Sequence, residues 1–123
     1  MGLIYRLLVR PMLRFQDSEK AHLRSLKILN LFSNNFLTKR ILSLLYSPKK
    51  PVPINVFGHQ YKHPFGLAAG MDKKAETLLG WETIGLAFVE IGGVTMLEQE
   101  GNSKPRMFRC NSQKALINRM GFN

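Results

Sequence analysis

Apolar and basic residues in the first fifteen positions follow the spacing of an amphipathic helix. Arginines four residues apart would lie on one helical face and leucines on another; the arginines are Arg6, Arg10 and Arg14. Pro11 is expected to kink or break this helix, because its ring and its missing N–H disrupt the helical hydrogen bonds. The stretch predicts a short basic helix with an interruption near Pro11.

Two further helical patterns follow. Asp17 or Ser18 is a candidate N-cap for a helix over about residues 19–32, and another helix is expected near residues 38–46. The apolar positions of both helices cover more than a narrow stripe. No apolar run approaches the roughly 18 residues that a membrane-spanning helix needs. Residues 1–50 are therefore predicted to form a small domain of amphipathic helices.

From Pro51 the pattern changes to short apolar runs separated by glycines. Residues 65–70 and 87–95 have the composition of buried strands, and a helix is expected between them over residues 74–84, ended by Gly85. The order of strand, helix and strand predicts a βαβ unit with parallel strands and a right-handed crossover.

Two hairpins are also expected in this part of the chain. Residues 52–57 and 59–61 would pair around Gly58, and residues 107–109 would pair with residues 115–118. Together with the βαβ unit, the hairpins indicate an α/β domain after the helical one.

The charge of the protein is concentrated in its N-terminal part. The formal net charge is +10; residues 1–50 contain 10 Lys/Arg and 2 Asp/Glu, and residues 51–123 contain 8 and 6. Basic amphipathic helices can lie on an anionic membrane surface, pack on their own chain with a solvated basic face, or bind nucleic acid. Aliphatic residues, rather than the aromatic residues that stack on bases, separate the basic ones, which argues against nucleic acid.

Cysteine and histidine usage gives no sign of a disulfide or a metal site. The single cysteine, Cys110, has no partner within the chain, so the sequence does not indicate an oxidising compartment. The three histidines are scattered without metal-ligand spacing; they are His22, His59 and His63. No metal is expected.

Small residues end both predicted strands. Residues 68–73 and 92–95 would lie at the carboxyl ends of parallel strands, where α/β folds bind ligands, and Lys73 could hold an anion. Neither the GxxxxGK[ST] nor the GxGxxG spacing is present. In the alternative interpretation, the glycines only turn the chain and the lysines are solvated.

Four motifs, taken in order, resemble a known family. HPFGLAAGMDKKAE, FVEIGGVT, QEGNSKPRMFR and ALINRMGFN look like the first third of a class 2 (quinone-dependent) dihydroorotate dehydrogenase. The resemblance covers nearly all of residues 51–123. FQDSEKAH and its helices are similar, more loosely, to the N-terminal membrane-associated domain of that family, and the class assignment depends on these helices.

The resemblance implies an α/β fold with the first strands and helices of a (β/α)8 TIM-type barrel. Residues 51–123 would begin this FMN-binding barrel and leave it incomplete, and residues 1–50 would form the membrane and quinone domain. The implied reaction oxidises (S)-dihydroorotate to orotate in de novo pyrimidine biosynthesis, with FMN as cofactor and a membrane quinone as electron acceptor.

The resemblance also implies roles for individual residues. The cofactor-binding positions would be Ala69, Gly70, Met71, Asp72, Lys73 and Gly93. The substrate-binding positions would be Lys73, Asn118, Arg119, Met120, Gly121 and Phe122. His22 and Arg109 match residues that line the quinone tunnel in some relatives. Gly93 stands where relatives usually have Ser or Thr, which implies the loss of one side-chain contact to the flavin.

No catalytic residue is assigned, because the family's catalytic base is expected downstream of Asn123. The chain is therefore expected to be an N-terminal fragment that is inactive alone. The expected location is the cytoplasmic face of a prokaryotic inner membrane, with the mitochondrial inner membrane as alternative. A different class of function also fits the charge: a standalone basic protein that binds a membrane surface or nucleic acid.

Overall fold

The computed structural model describes residue 3 and residues 5–123. The chain divides into two compact units. One consists of Met1–Ser25 with Thr95–Asn123, and the other of Leu26–Val94. The predicted functional boundary at residue 50 does not coincide with a boundary between these two units, and it stays a prediction.

Helical structure begins with a π-helix over Tyr5–Val9, followed directly by α1, Arg10–Arg14. Pro11 lies in the first turn of α1, where proline is tolerated because its ring fixes φ near the helical value. The predicted interruption is thus a change from π-helix to α-helix beside Pro11, and the chain stays helical through the proline.

Helices α2 (Ser18–Asn34) and α3 (Phe36–Tyr46) confirm the next two predicted helices, each slightly longer than expected. The N-cap of α2 is Asp17, whose Oδ1 accepts a hydrogen bond from the Lys20 amide at 2.9 Å. Asn35 caps α3 by accepting from the amides of Leu37 and Thr38. Side-chain oxygens at these caps satisfy N–H groups that have no partner within the helix.

Two antiparallel hairpins form where the sequence predicts them. β1 (Ile54–Val56) pairs with β2 (His59–Tyr61), and β3 (Met107–Cys110) pairs with β4 (Ala115–Asn118). The registers run from Ile54 opposite Tyr61 and from Met107 opposite Asn118. The first turn has positive φ at both Phe57 and Gly58, which matches the right-handed twist of the paired strands.

The predicted parallel pairing is confirmed, but it is short. Leu67 and Val89 form an isolated parallel bridge, and the Leu67 amide donates to the Phe88 carbonyl at 2.9 Å. The prediction that both segments are buried strands is wrong, since Phe65 is 70% exposed and Val94 is 88% exposed. Within the described part of the chain, too little structure packs on these segments to cover them.

The helix between the two parallel segments, α4, covers only Leu78–Thr83. The prediction that it starts at residue 74 is wrong because Ala75 has a φ of +55°, which an α-helix cannot contain. Gly85 follows the helix with a φ of +95°, as its predicted role in ending the helix requires. Trp81 on α4 and Leu26 on α2 are the buried large apolar side chains of the unit Leu26–Val94.

Candidate functional site

The turn after Leu67 exposes small residues at the carboxyl end of the first parallel segment. Ala68, Ala69 and Gly70 are all exposed. Gly70 has a φ of +98°, and a Cβ placed there would meet no atom within 4 Å. The space over this backbone is therefore open, so a flat group could approach it closely.

The end of the second parallel segment contacts the same turn. A Cβ added to Gly92 would lie 3.2 Å from both Cβ and the carbonyl oxygen of Lys73. Lys73 itself is half-buried, and Gly93 is exposed. The structure thus brings together predicted cofactor-binding positions from both segments, which the sequence separates by about twenty residues.

Asp72 has a different environment from its neighbours, because its side chain is buried. Its Oδ1 accepts from the Glu76 amide at 3.0 Å, and its Oδ2 accepts from the Thr77 amide at 2.9 Å and from Trp81 Nε1 at 3.0 Å. The carboxylate therefore serves as an acceptor for the turn that leads into α4. A contact from Asp72 to a flavin would have to use the backbone.

Thr77 and Trp81 are functional neighbours that the sequence analysis missed. Thr77 is fully buried, and its hydroxyl donates to the Leu26 carbonyl at 3.4 Å. With Asp72 they fix the turn that carries Lys73. The available signal was an Asp a few residues before a helix, since Asp side chains commonly accept hydrogen bonds from nearby backbone amides.

In the other unit, the predicted substrate segment, residues 118–122, has its backbone anchored. The Asn102 amide donates to the Met120 carbonyl at 2.9 Å, and Asn102 Nδ2 donates to the Arg119 carbonyl at 2.8 Å. Asn118 and Phe122 remain exposed. These two side chains are therefore accessible to a ligand while the backbone between them is held.

The Arg119 side chain lies along the second hairpin. Its guanidinium carbon is 5.9 Å from the centroid of the Phe108 ring, and Nη2 donates to the Pro105 carbonyl at 3.3 Å. This position supports the hairpin through a cation–π contact. Its predicted role in substrate binding stays a prediction.

The two predicted quinone-lining residues occur in the same unit. Arg109 on β3 donates from Nη1 to the Gln16 carbonyl, in the segment before α2. His22 lies on α2 and is half-buried. Arg109 thus connects the second hairpin to the segment before α2, and the quinone role of both residues stays a prediction.

A buried ion pair, which the sequence analysis also missed, joins Glu19 to Arg106. Arg106 Nη2 lies 2.8 Å from Glu19 Oε1, and Lys104 Nζ approaches the same oxygen at 3.5 Å. Hydrogen bonds from Arg106 lower the pKa of Glu19 from its ordinary 4.5, against the opposing effect of burial, and the same contact raises the pKa of Arg106. No local pattern connects these residues.

Among the described residues, no three His, Cys, Asp or Glu side chains form a group able to hold a metal ion. No described helix has the length and apolarity needed to cross a bilayer. A cavity of about 400 Å³ lies between residues 47–53, the first hairpin and the end of α4, and no predicted site residue lines it.

A parallel pair joined by a helix is typical of an α/β protein, and α/β proteins bind ligands at the carboxyl ends of such strands, where this chain has an open backbone turn and a lysine. Residues 52–123 match the family model for dihydroorotate dehydrogenase. The chain therefore belongs to the dihydroorotate dehydrogenase family.

Curated relatives support the same assignment. The dihydroorotate dehydrogenase (quinone) of Haemophilus influenzae is 43% identical over 107 residues, covering 87% of this chain and 31% of the relative. That of Chloroflexus aurantiacus is 44% identical over 127 residues, covering 99% and 35%. The chain thus spans about a third of the length of the curated relatives it matches.

Solved structures give the same fold. DHODH of Eimeria tenella in complex with ferulenol superposes with a TM-score of 0.69 at 36% identity, over 89% of this chain and 27% of that one. The ligand-free form gives a TM-score of 0.64 at 37% identity, over 87% and 28%. The fold is therefore α/β and like that of DHODH.

Proposed function

We propose that the chain contributes the N-terminal part of a quinone-dependent dihydroorotate dehydrogenase. This enzyme would oxidise (S)-dihydroorotate to orotate in de novo pyrimidine biosynthesis, with FMN and a membrane quinone. The observation that carries the proposal is the contact between Gly92 and Lys73, which joins two strand ends beside an open backbone turn. It is made within the segment that matches the family.

FMN fits the exposed turn. Ala69 and Gly70 would let the flat isoalloxazine ring approach the backbone, and the Met71 and Asp72 backbone would extend this surface. Gly93 offers no side-chain contact but leaves the same room. When bound, FMN supplies the hydride acceptor of the reaction; the residues of this chain bind it, orient it and exclude water from one side.

Two side chains have the chemistry that binding of dihydroorotate requires. Lys73 provides an ammonium for the carboxylate of dihydroorotate, and a charge-assisted hydrogen bond of this kind contributes about 1.5–3 kcal/mol. Asn118 offers both a donor and an acceptor to the pyrimidine ring. The anchored backbone of residues 119–121 keeps Phe122 and Asn118 in place on the same segment.

Quinone access would come through the N-terminal helices. Helix α3 has no buried residue, and its two basic residues, Lys39 and Arg40, are exposed together with several of its apolar side chains. Such a surface suits peripheral binding to an anionic bilayer, on the cytoplasmic face of a prokaryotic inner membrane. The family resemblance gives His22 and Arg109 a role in lining the quinone tunnel.

The 123-residue chain alone should not turn over substrate. A TIM-type barrel takes about 250 residues, and the chain spans about a third of its curated relatives. No residue of the chain is assigned as the catalytic base. Purifying the chain alone and assaying bound flavin and dihydroorotate-dependent dye reduction tests this; stoichiometric FMN with turnover would contradict it.

Lys73→Ala, with Lys74→Ala as matched control, tests the site in the full-length product of the gene. Loss of the charge-assisted hydrogen bond should lower kcat/KM for dihydroorotate by about tenfold or more. Lys74 is exposed, so its substitution should change kcat/KM by no more than about twofold. Equal effects of the two substitutions would remove Lys73 from the site.

Flotation with anionic vesicles, beside an oligonucleotide shift assay, tests the membrane role. Binding to vesicles without binding to the oligonucleotide supports the proposal. A steeply salt-dependent affinity for the oligonucleotide would instead favour the second candidate, a basic nucleic-acid-binding protein, which the net charge of +10 keeps open.

A further inference from the structure

Arg106 contacts three other segments of the unit formed by Met1–Ser25 and Thr95–Asn123. Its Nε lies 3.2 Å from both carboxylate oxygens of Glu19, and its Nη2 lies 2.8 Å from one of them. Its Nη1 donates to the carbonyls of Glu100 at 2.6 Å and Asn102 at 3.0 Å. We call this set of contacts the Arg106 junction.

The backbone of Arg106 adds a link to the predicted substrate segment. Its carbonyl accepts from the Arg119 amide at 2.8 Å. Asn102, held by the Arg106 side chain, binds the carbonyls of Arg119 and Met120. The substrate segment is thus held twice, once by the backbone of Arg106 and once through a loop that its side chain fixes.

The side chain of Arg106 also reaches the helix that carries His22. Glu19 lies in the first turn of α2, and both members of the pair are buried, with Glu19 8% exposed and Arg106 8% exposed. Removing one member of a buried pair leaves the other without compensation. The start of α2 and the loop at residues 100–102 therefore depend on the same guanidinium.

We propose that Arg106 is a positioning residue of the dihydroorotate dehydrogenase reaction. It holds the predicted pyrimidine-binding segment and the predicted quinone-lining helix in one arrangement, without touching either ligand. The proposal rests on the proposed function, because the two segments have these roles only there. Oxidation of dihydroorotate and reduction of the quinone would both depend on the Arg106 junction, although the junction belongs to neither ligand site.

Only an arginine fits the junction. A guanidinium presents five donors in a rigid planar fork, and Arg106 directs them to one carboxylate and two carbonyls. A lysine ammonium keeps the charge but offers donors from a single atom, so it cannot reach all three acceptors. Arg106→Lys therefore separates the geometry of the junction from its charge.

Lys104 provides the matched control. It contacts the same Glu19 oxygen at 3.5 Å, but its side chain is 65% exposed. An exposed pair of this kind contributes little. Lys104→Gln removes one positive charge beside Glu19 and leaves the fork intact.

Hydrogen exchange of the protein without ligands gives the first measurement. In Arg106→Lys, the amides of Asn102 and Arg119 should exchange about tenfold faster or more, since their segments lose their common anchor. In Lys104→Gln, both rates should change by no more than about twofold. Unchanged exchange rates of these two amides in Arg106→Lys would refute the claim that the Arg106 side chain anchors their segments.

Steady-state kinetics of the full-length gene product, with matched FMN content, give the second measurement. Arg106→Lys should raise KM for both dihydroorotate and the quinone by about tenfold, as a small misplacement of binding groups does. A merely structural role would reduce the amount of active enzyme and leave both KM values unchanged, and that result would overturn the inference. Lys104→Gln should keep both values within about twofold.

Two further outcomes are distinguishable. If Arg106→Lys does not fold, Glu19→Gln, which keeps one acceptor oxygen, replaces it in both measurements with the same expected directions. If the unsubstituted full-length product binds FMN but does not oxidise dihydroorotate, the proposed function fails, and the positioning role of Arg106 fails with it. The hydrogen-exchange result still decides, independently of activity, whether the Arg106 junction exists.

Discussion

Asp72→Asn is the substitution whose effect the structure defines best. The Asp72 carboxylate accepts three hydrogen bonds, from the Glu76 amide, the Thr77 amide and Trp81 Nε1. Asparagine has nearly the same shape but only one acceptor oxygen. If that oxygen faces Thr77 and Trp81, the new NH₂ group faces the Glu76 amide; if it faces Glu76, two donors lose their acceptor.

The better of these two orientations still loses one hydrogen bond and places two donors against each other. A buried unsatisfied donor costs about 1–3 kcal/mol, and bonds to a charged acceptor contribute more than those to a neutral one. We expect the free energy of unfolding to fall by about 2–4 kcal/mol. With a urea dependence of about 2 kcal/mol per molar, the unfolding midpoint should fall by roughly 1–2 M.

Trp81 is the only tryptophan in the chain, so its fluorescence reports unfolding at the substituted site. Asp17→Asn is the matched control, because Asp17 is an exposed N-cap with one amide partner and Asn caps helices equally well. That control should change the free energy by no more than about 0.5 kcal/mol. A midpoint for Asp72→Asn equal to that of Asp17→Asn would refute the reasoning.

Two other substitutions give defined outcomes. The pKa of Glu19 is lowered in the folded protein, so its pairing with Arg106 stabilises the fold fully above pH 4.5, and this stabilisation is lost as the pH falls through the folded pKa. The difference in Tm between the unsubstituted protein and Glu19→Gln should therefore shrink below pH 4.5. A Tm difference that does not change with pH would contradict this reasoning. Gly80→Ala would place a Cβ 2.6 Å from Thr77 Cγ2 and 2.7 Å from Leu29 Cγ, and overpacking of about 1–3 kcal/mol should exceed the helix-propensity gain of about 1 kcal/mol. A rise in the urea midpoint of Gly80→Ala would show that the neighbours can move apart.

Local signals were sufficient for α2, α3 and the two hairpins. Asp17 caps α2 through the amide of Lys20, three residues later, as the pattern predicts. The pair Phe57 and Gly58 forms the tight turn expected between β1 and β2. In each case the determining contacts lie within a few residues, so the sequence itself contains the necessary information.

Periodicity could not locate the start of α4. Apolar residues continue the helical spacing back to Ala75, but the Asp72 carboxylate accepts from the amides of Glu76 and Thr77 and holds a non-helical turn. Ala75 then takes a left-handed conformation that its type does not suggest. The preference of a residue for a helix was overridden by one side chain outside the helix.

Burial was the other property that pattern misjudged. Phe65 and Val94 belong to apolar runs, yet both are exposed, because a pattern shows which residues favour burial and not which element covers them. Sequence patterns have a similar limit for contacts between distant residues. Positions such as Gly70 come from a motif, whereas the pairing of Glu19 with Arg106 joins residues 87 positions apart.

The parallel bridge between Leu67 and Val89 leaves each segment with one open edge. In the part of the chain that the structure describes, no third strand pairs there. Open edges with unpaired amides and carbonyls are templates for strands of other molecules, and exposed Phe65 and Val94 add apolar surface to them. Self-association through these edges competes with completion of the sheet, so the soluble yield of the protein should fall as its concentration rises.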